Sequence, residues 1–374
     1  MASISFWEKD TFYAKQDVII VGAGLMGLWT AFEVKQKKPN YKITILEKHS
    51  TPIGASTRNA GFACFGSATE LLADVRLLGE NAMLQTVEMR YKGIQKIRNT
   101  FTDEQIGYEH CGGFECLQTT NQPDDIEAVV AHLNTLLQAI TKQTNTFTIA
   151  NNQLQQMQLK GFETLIANHL EGGLHSGKLV QSLTQKVQSI GVQILYGIEV
   201  ADWVKQSNNI ELHSKQGITF YTNQLVFCTN AYTHLYFPEL QTEPARGQIL
   251  VTEPIDNLPM KGTFHFDEGF YYWRNVGNRI LLGGGRNVAF EEERTTSFDC
   301  TSKIQNHLEN FLHKHLVSKN VSIDYRWSGL MGFTNHKQPL VTEVATSVFV
   351  AIACNGMGVA LTPIMAEKLT AMLA

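Results

Sequence analysis

No stretch of the chain reaches the ~18 uncharged apolar residues of a membrane span, and no basic block or acidic tail interrupts its 374 residues. With 31 basic residues against 35 acidic ones the net charge is −4, which gives nucleic acid or an anionic membrane nothing to hold. The opening MASISFWEKDTFYAKQD lacks an apolar stretch of signal-peptide length, so a soluble cytoplasmic protein is expected. Cysteine is sparse and scattered: of Cys64, Cys111, Cys116, Cys228, Cys300 and Cys354, only Cys111 and Cys116 are close, and their spacing is not CxxC. Reduced thiols are expected in place of disulfides or a zinc pair. His313 and His315 fall on opposite sides of a helical stretch, so no metal site is expected either. There is no internal repeat, and no Pro/Ser-rich linker marks a clean domain boundary.

What remains is a chain 43% hydrophobic, long enough to bury a large core in two or three interleaved domains. Its start reads strand, glycine turn, helix, strand: DVIIV, GAGLMG, a helix over 28–37, then KITILE. Polar helices follow over 69–99, then YEHCGGFECLQ, then an amphipathic helix with Ile126, Val129, Val130, Leu133, Leu137 and Ile140 on one stripe. The βαβ theme resumes with a helix marked by Leu179, Leu183, Val187 and Ile190, capped by Gly191 before the strand VQILY. Strands dominate 206–295: IELHS, ITFYT, QLVFCT, GQILVTE, GFYYWR and RILLGG. The apolar end, SVFVAIACNGMGVALTPIMAEKLTAMLA, reads as strand, glycine turn and helix, because Asn355, Gly356, Gly358, Glu367 and Lys368 interrupt any span. The expected class is α/β, with a Rossmann-type domain (15–90, 160–235 and 325–374) interleaved with a second, α+β domain (91–159 and 236–324) on a mainly antiparallel sheet.

Gly22, Gly24 and Gly27 fit G-x-G-x-x-G between strand and helix, and Glu47 ends the next strand twenty residues after the last glycine. Gly22 allows the tight turn, Gly24 lets backbone approach a pyrophosphate, and Gly27 lets helix and strand pack closely. The helix start supplies free N–H groups and positive dipole. Glu47 would accept both ribose hydroxyls of an adenosine, and its charge disfavours the 2′-phosphate of NADP. The hexapeptide alone fits any tight α/β turn, but strand, helix and acid in register define dinucleotide binding. FAD and NAD remain. The loop GASTRNAGF (54–62) favours FAD, since Ser56 and Thr57 can donate to pyrophosphate oxygens while Ala60 and Gly61 leave room for an isoalloxazine ring. A second glycine turn, CNGMGV (354–359), offers a helix start to the flavin edge where negative charge gathers on reduction.

These segments, with PARGQ, YYWRNVGNRILLGGG and RWSGL in the same order, resemble the D-amino acid oxidase superfamily of FAD-dependent amine oxidoreductases. The superfamily includes glycine oxidase, sarcosine oxidase, D-amino acid dehydrogenases and gamma-glutamylputrescine oxidoreductase, and the last branch looks most similar. The resemblance implies FAD contacts at Gly22, Gly24, Met26, Gly27, Glu47, Lys48, Ser56, Thr57, Ala60 and Gly61. It further implies Val200, acting through its backbone, with Thr229 and Ala231 near the adenosine, and Gly356, Met357, Gly358 and Val359 near the flavin. The implied reaction moves hydride from the alpha carbon of an amine to the flavin and leaves an imine that water hydrolyses. Such chemistry needs orientation and exclusion of water more than a strong acid–base pair. The rival expectations are an NAD-dependent dehydrogenase, which would not be yellow, and a catalytically silent redox module, which no amine would bleach.

Three departures from the family pattern matter. Trp327, Ser328, Gly329, Leu330, Met331 and Gly332 stand where many relatives read W-x-G-L-R-P, so the arginine that grips a substrate carboxylate is replaced by Met331. Leu281 stands where sarcosine oxidases carry a lysine used with oxygen, leaving oxygen or another carrier open as the electron acceptor. No cysteine occurs over 327–334 to tether flavin, so FAD is expected to be non-covalent. Tyr271 best matches a substrate-facing tyrosine and is, with Arg274, the catalytic candidate. Strand parity pairs Tyr271 with Trp273 and Tyr272 with Arg274. Tyr271, Tyr272, Arg274 and Arg246 are the substrate-binding candidates. Unless Arg274 or Arg246 supplies the missing charge, glycine and D-alanine should be held poorly, and larger or N-substituted amines better.

Overall fold

The computed structural model describes residues 3–352 and 354–373. The chain divides into two compact units, one formed by residues 1–57, 180–244 and 331–374, the other by 58–179 and 245–330. Residues 58–90 and 160–179, read from the sequence as part of the FAD-binding domain, thus cluster with the second unit.

The first unit is built on a sheet ordered Leu340–Ala345, Val348–Ile352, Thr219–Phe227, Gln16–Val21, Ile43–Glu47, Gln193–Tyr196. The five strands after the first run parallel, in register Phe227 with Val350, Val21 with Phe227 and Leu46, and Glu47 with Tyr196. Ile43–Glu47 is buried at every residue, as parallel strands covered on both faces require. ITFYT and QLVFCT, read as separate strands, form one strand, Thr219–Phe227, whose outer half pairs antiparallel with Ile210–Ser214. Helices Leu25–Lys37 and Gly358–Met372 pack side by side. Both follow a parallel strand directly, so both glycine turns lie at carboxyl ends of the sheet, where open α/β sheets bind ligands.

The second unit carries a mainly antiparallel sheet, ordered Ile323–Phe333, Glu243–Thr252, Arg279–Gly284, Tyr271–Val276, Thr263–Phe266, Gly113–Leu117, Thr164–Asn168, Thr148–Ile149. One pairing, Thr263–Phe266 with Gly113–Leu117, is parallel. Alternate residues sort onto two faces. Phe114, Phe264, Tyr271, Trp273, Leu282 and Leu250 join one core, into which helix Ser302–Phe311 places Ile304, Leu308 and Phe311. Within it the Phe264 and Trp273 rings stack at 5.3 Å between centroids. The opposite face runs Glu115, His265, Tyr272, Gly283, Ile249 across five strands in register. Among the described residues no helix is long and apolar enough to cross a membrane, and all six cysteines are free.

Candidate active site

The first glycine turn is built by backbone geometry that its residue types dictate. Gly22 has φ +106°, and a Cβ there would lie 2.8 Å from the Cys228 carbonyl oxygen. Gly27 is tighter still, its Cβ position 2.0 Å from the Gly22 carbonyl oxygen. At Gly24 a Cβ would come within 2.9 Å of Ser56 Oγ, so the bare backbone leaves a cradle at the helix start. The first bond within the helix is Leu28 N–H to the Gly24 carbonyl, 3.0 Å. The amides of Met26 and Gly27 therefore precede it, as an anion-binding helix start requires.

Glu47 reaches the same turn from the neighbouring strand end. One carboxylate oxygen accepts the Ala23 N–H at 2.9 Å and the other the His49 N–H at 3.1 Å, and the residue is 7% exposed. A carboxylate held by two amides is fixed in place and keeps lone pairs for further donors. The Lys48 ammonium lies over the Tyr232 ring, 3.4 Å from its centroid. Burial lowers the lysine's pKa, opposed by Glu199 and Glu47. Tyr232 was passed over in the sequence because its partnership with Lys48 spans the whole middle of the chain. The Thr229 hydroxyl bonds Thr233 at 2.8 Å, and Ala231 is buried just beyond the strand end that meets Gly22. Val200 places its side chain in the core, its carbonyl accepts the Tyr236 hydroxyl at 2.7 Å, and it pairs with Ser214 on the neighbouring strand.

Ser56 Oγ accepts the Leu25 N–H at 2.9 Å, which ties the loop to the helix start. Thr57 departs from expectation, because its hydroxyl donates to the Pro52 carbonyl at 2.6 Å and so closes the loop on itself. Gly61 has φ +73°, donates to Asn59 Oδ1 at 2.8 Å, and could not carry a Cβ, which would meet the Leu174 carbonyl at 2.2 Å. Ala60 packs with Ile249, Val251 and Leu281. In the second glycine turn Asn355 and Gly356 have φ +48° and +86°. Asn355 Oδ1 accepts the Thr334 N–H at 3.0 Å. The first bond into the helix is from Leu361 to Met357, 3.1 Å, so the amides of Gly358, Val359 and Ala360 precede it. Met331 Sδ lies 3.9 Å from the position of a Gly356 Cβ, a thioether where the family's arginine is expected.

The substrate candidates need correction. Tyr271 turns away from the Ala60 face: it is 6% exposed, stacks on Phe311 at 4.8 Å, and its hydroxyl bonds His307 Nε2 at 2.6 Å. Tyr272 is the strand's tyrosine on the face with Ala60, Leu281 and Trp327. Its phenol pKa is pushed up to about 12 by burial, partly offset by Arg286. Arg274 shares this face but is 4% exposed, with Nη1 donating to the Gly61 and Leu174 carbonyls, both at 2.9 Å, and Nε to the Asn275 carbonyl at 3.0 Å. It clamps the loop's backbone through Nε and Nη1. Arg246 is likewise engaged, in a bidentate pair with Glu293 at 2.9 and 2.7 Å, which holds its pKa up. Among the described residues no group of three or more His, Cys, Asp or Glu is placed to hold a metal.

A parallel sheet with two glycine turns opening helices at its carboxyl ends, and an acid at the neighbouring strand end, defines a dinucleotide-binding protein. The profile of the FAD dependent oxidoreductase family matches residues 17–372, and the chain belongs to that family, with FAD as its cofactor. It is 23% identical over 373 residues to the probable oxidoreductase OrdL of Haemophilus influenzae, covering 92% of this chain and 80% of that protein. It is 24% identical over 333 residues to L-2-hydroxyglutarate dehydrogenase of Escherichia coli K12, covering 81% and 72%. Among solved structures it resembles glycine oxidase from Geobacillus kaustophilus, with TM-score 0.73 and 20% identity, covering 96% and 94%.

Proposed function

We propose that this chain oxidises the C–N bond of an amine or amino acid. Bound FAD supplies the two-electron acceptor. The C–H electron pair leaves the alpha carbon as hydride, the nitrogen gives up a proton, and the C=N bond formed is hydrolysed by water. The chain's part is to hold the substrate against an apolar wall and keep bulk water out. The observation that carries the reading is the face shared by Ala60, in the loop proposed to receive the flavin ring, with Tyr272, Leu281 and Trp327. It offers one phenol among apolar side chains. Glycine oxidase, by its name, acts on an amine with this fold. With six free cysteines the cytoplasm is the matching compartment.

In this reading Gly22, Gly24, Met26 and Gly27 cradle the pyrophosphate, Ser56 donates to it, and Glu47 takes the ribose hydroxyls beside Lys48, Thr229 and Ala231. The helix start at Gly356, Met357, Gly358 and Val359 faces the flavin. An anaerobic screen of amines, D- and L-amino acids and 2-hydroxy acids, read as loss of flavin absorbance, tests the reaction. Bleaching by an amine is expected, and bleaching by 2-hydroxy acids alone would replace the reading with alcohol oxidation. The same protein, precipitated with acid, should release its yellow colour into the supernatant; colour left in the pellet would mean a covalent flavin.

Glu47→Ala should weaken FAD binding by about 1.5 to 3 kcal/mol, the range for hydrogen bonds to a charged group, because ribose contacts and the grip on Ala23 go together. An FAD dissociation constant within twofold of wild type would show that the ribose lies elsewhere.

A further inference from the structure

The carboxyl end of the central strand, Gln16–Val21, is flanked on both sides. In the sheet it lies between Ile43–Glu47 and Thr219–Phe227, and all three run parallel. On one side the Ala23 N–H reaches Glu47 at 2.9 Å, and on the other the flank of Gly22 faces the Cys228 carbonyl. Lys48 follows the first neighbour directly, and Tyr232 sits in the short helix Asn230–Leu235 just after the second. Neighbouring strands lie about 4.8 Å apart, so a contact between these two residues spans two strand spacings and crosses the end of the central strand. Lys48 Nζ makes that contact, 3.4 Å from the centroid of the Tyr232 ring. Glu47 acts on the ionisation of both side chains, so its carboxylate and the pair share one small space.

We propose that Lys48 and Tyr232 form a strap across the cofactor cleft, closed in this structure, which opens for FAD to enter or leave and so sets how fast the cofactor exchanges rather than how tightly it is held. This deepens the reading above and rests on its placement of the ribose at Glu47. The two sides of the strap differ in mobility. Tyr232 is the fixed post: its N–H donates to the Thr229 carbonyl at 3.0 Å, the Thr229 and Thr233 hydroxyls bond at 2.8 Å, and its neighbours Ala231 and Thr233 are buried. Lys48 is the arm, an ammonium on a flexible four-carbon stem. Both residues are half-buried, which strengthens the attraction of the ammonium to the ring face. Glu199, the carboxylate that acts most strongly on that ammonium, is itself paired with Lys215 at 2.7 Å, so it is the ring that holds the lysine inward. Opening returns the ammonium to water and unpairs no backbone group, so the strap can move while the glycine turn keeps its shape.

The test follows flavin fluorescence in both directions: release from the loaded protein on dilution, and capture of FAD by stripped protein. Y232L, which removes the ring and keeps the lysine's charge, should speed release and capture together, each roughly 3- to 30-fold, the range for losing a cation–π contact, and leave the FAD dissociation constant within about threefold of wild type. K48M should speed release by a similar factor, and it carries the test if Y232L does not fold. Y232F, which keeps the ring face, should exchange FAD as wild type does. Release from both Y232L and K48M at the wild-type rate would overturn the proposal. So would faster release with unchanged capture in Y232L, the pattern of a side chain that touches the cofactor itself. The strap and the ribose placement fail separately. Faster exchange in Y232L, with FAD affinity unaltered in Glu47→Ala, would move the ribose and leave the strap. Weakened binding in Glu47→Ala, with unaltered exchange in Y232L, would do the reverse, and neither result depends on which substrate bleaches the flavin.

Discussion

Gly27→Ala should produce a protein that no longer retains FAD through purification. The added Cβ would sit 2.0 Å from the Gly22 carbonyl oxygen, 3.2 Å from its carbon and 3.3 Å from Ile20 Cγ2. The first two of these atoms are backbone, so no side chain can swing aside to relieve them. Gly22 in turn cannot retreat, since its own flank faces the Cys228 carbonyl. The helix must therefore lift from the strand and carry the amides of Met26 and Gly27 out of register with the pyrophosphate. Overpacking of this kind costs about 1 to 3 kcal/mol or more, and lost cradle geometry adds to it. An FAD affinity down roughly 100-fold follows from the upper part of that range alone. Titration of stripped protein with FAD, beside urea unfolding, measures both consequences. Affinity within twofold of wild type would show that the close helix–strand approach is not what forms the site.

The turn was readable from sequence because positive φ and close backbone approach are properties of residue type. Gly22, Gly24 and Gly27, with Glu47 one strand away, can be placed by counting. The pocket was not readable in the same way. Parity correctly separates Tyr271 from Tyr272, but both are large and aromatic, so the pattern does not tell which face is core. The structure decides it through Phe311 and His307, which take Tyr271, and Gly283, which leaves room for the Tyr272 ring. The arginines were harder still, because a guanidinium's role depends on partners far along the chain. Arg246 meets Glu293 across 47 residues, and Arg274 meets Leu174 across 100 and Gly61 across 213. Thr57 was a nearer miss, its hydroxyl satisfied five residues back at Pro52. A threonine just after a Pro-x-Gly turn commonly bonds its local backbone.

The second large effect concerns Glu171, which the flavin chemistry does not use. It is 2% exposed, near the strand Phe62–Ala63, with one oxygen accepting the Phe65 N–H at 2.8 Å and the other against Gly113. Burial pushes its pKa up to about 8; the Phe65 N–H opposes this, Glu70 adds to it, and the Gly66 N–H and Arg90 pull back. The unfolded chain has an ordinary carboxyl near 4.5, so between these values the folded state holds a proton that the unfolded state has released. A raised folded pKa means that the group's stabilising contribution is complete below pH 4.5 and is lost as pH rises through about 8. By pH 7 the loss is on the order of 3 kcal/mol. Glu171→Gln keeps the acceptor for Phe65 and the same bulk beside Gly113, but it cannot ionise. Urea unfolding of the two proteins should give similar stability at pH 5, with the variant ahead by a few kcal/mol at pH 8. Glu115, whose pKa burial also raises, slopes both curves alike, so it is their difference that reports Glu171. Parallel curves across this range would mean that the Glu171 carboxyl is already ionised in the folded protein, and that Arg90, 3.0 Å from Glu70, stabilises two carboxylates at once.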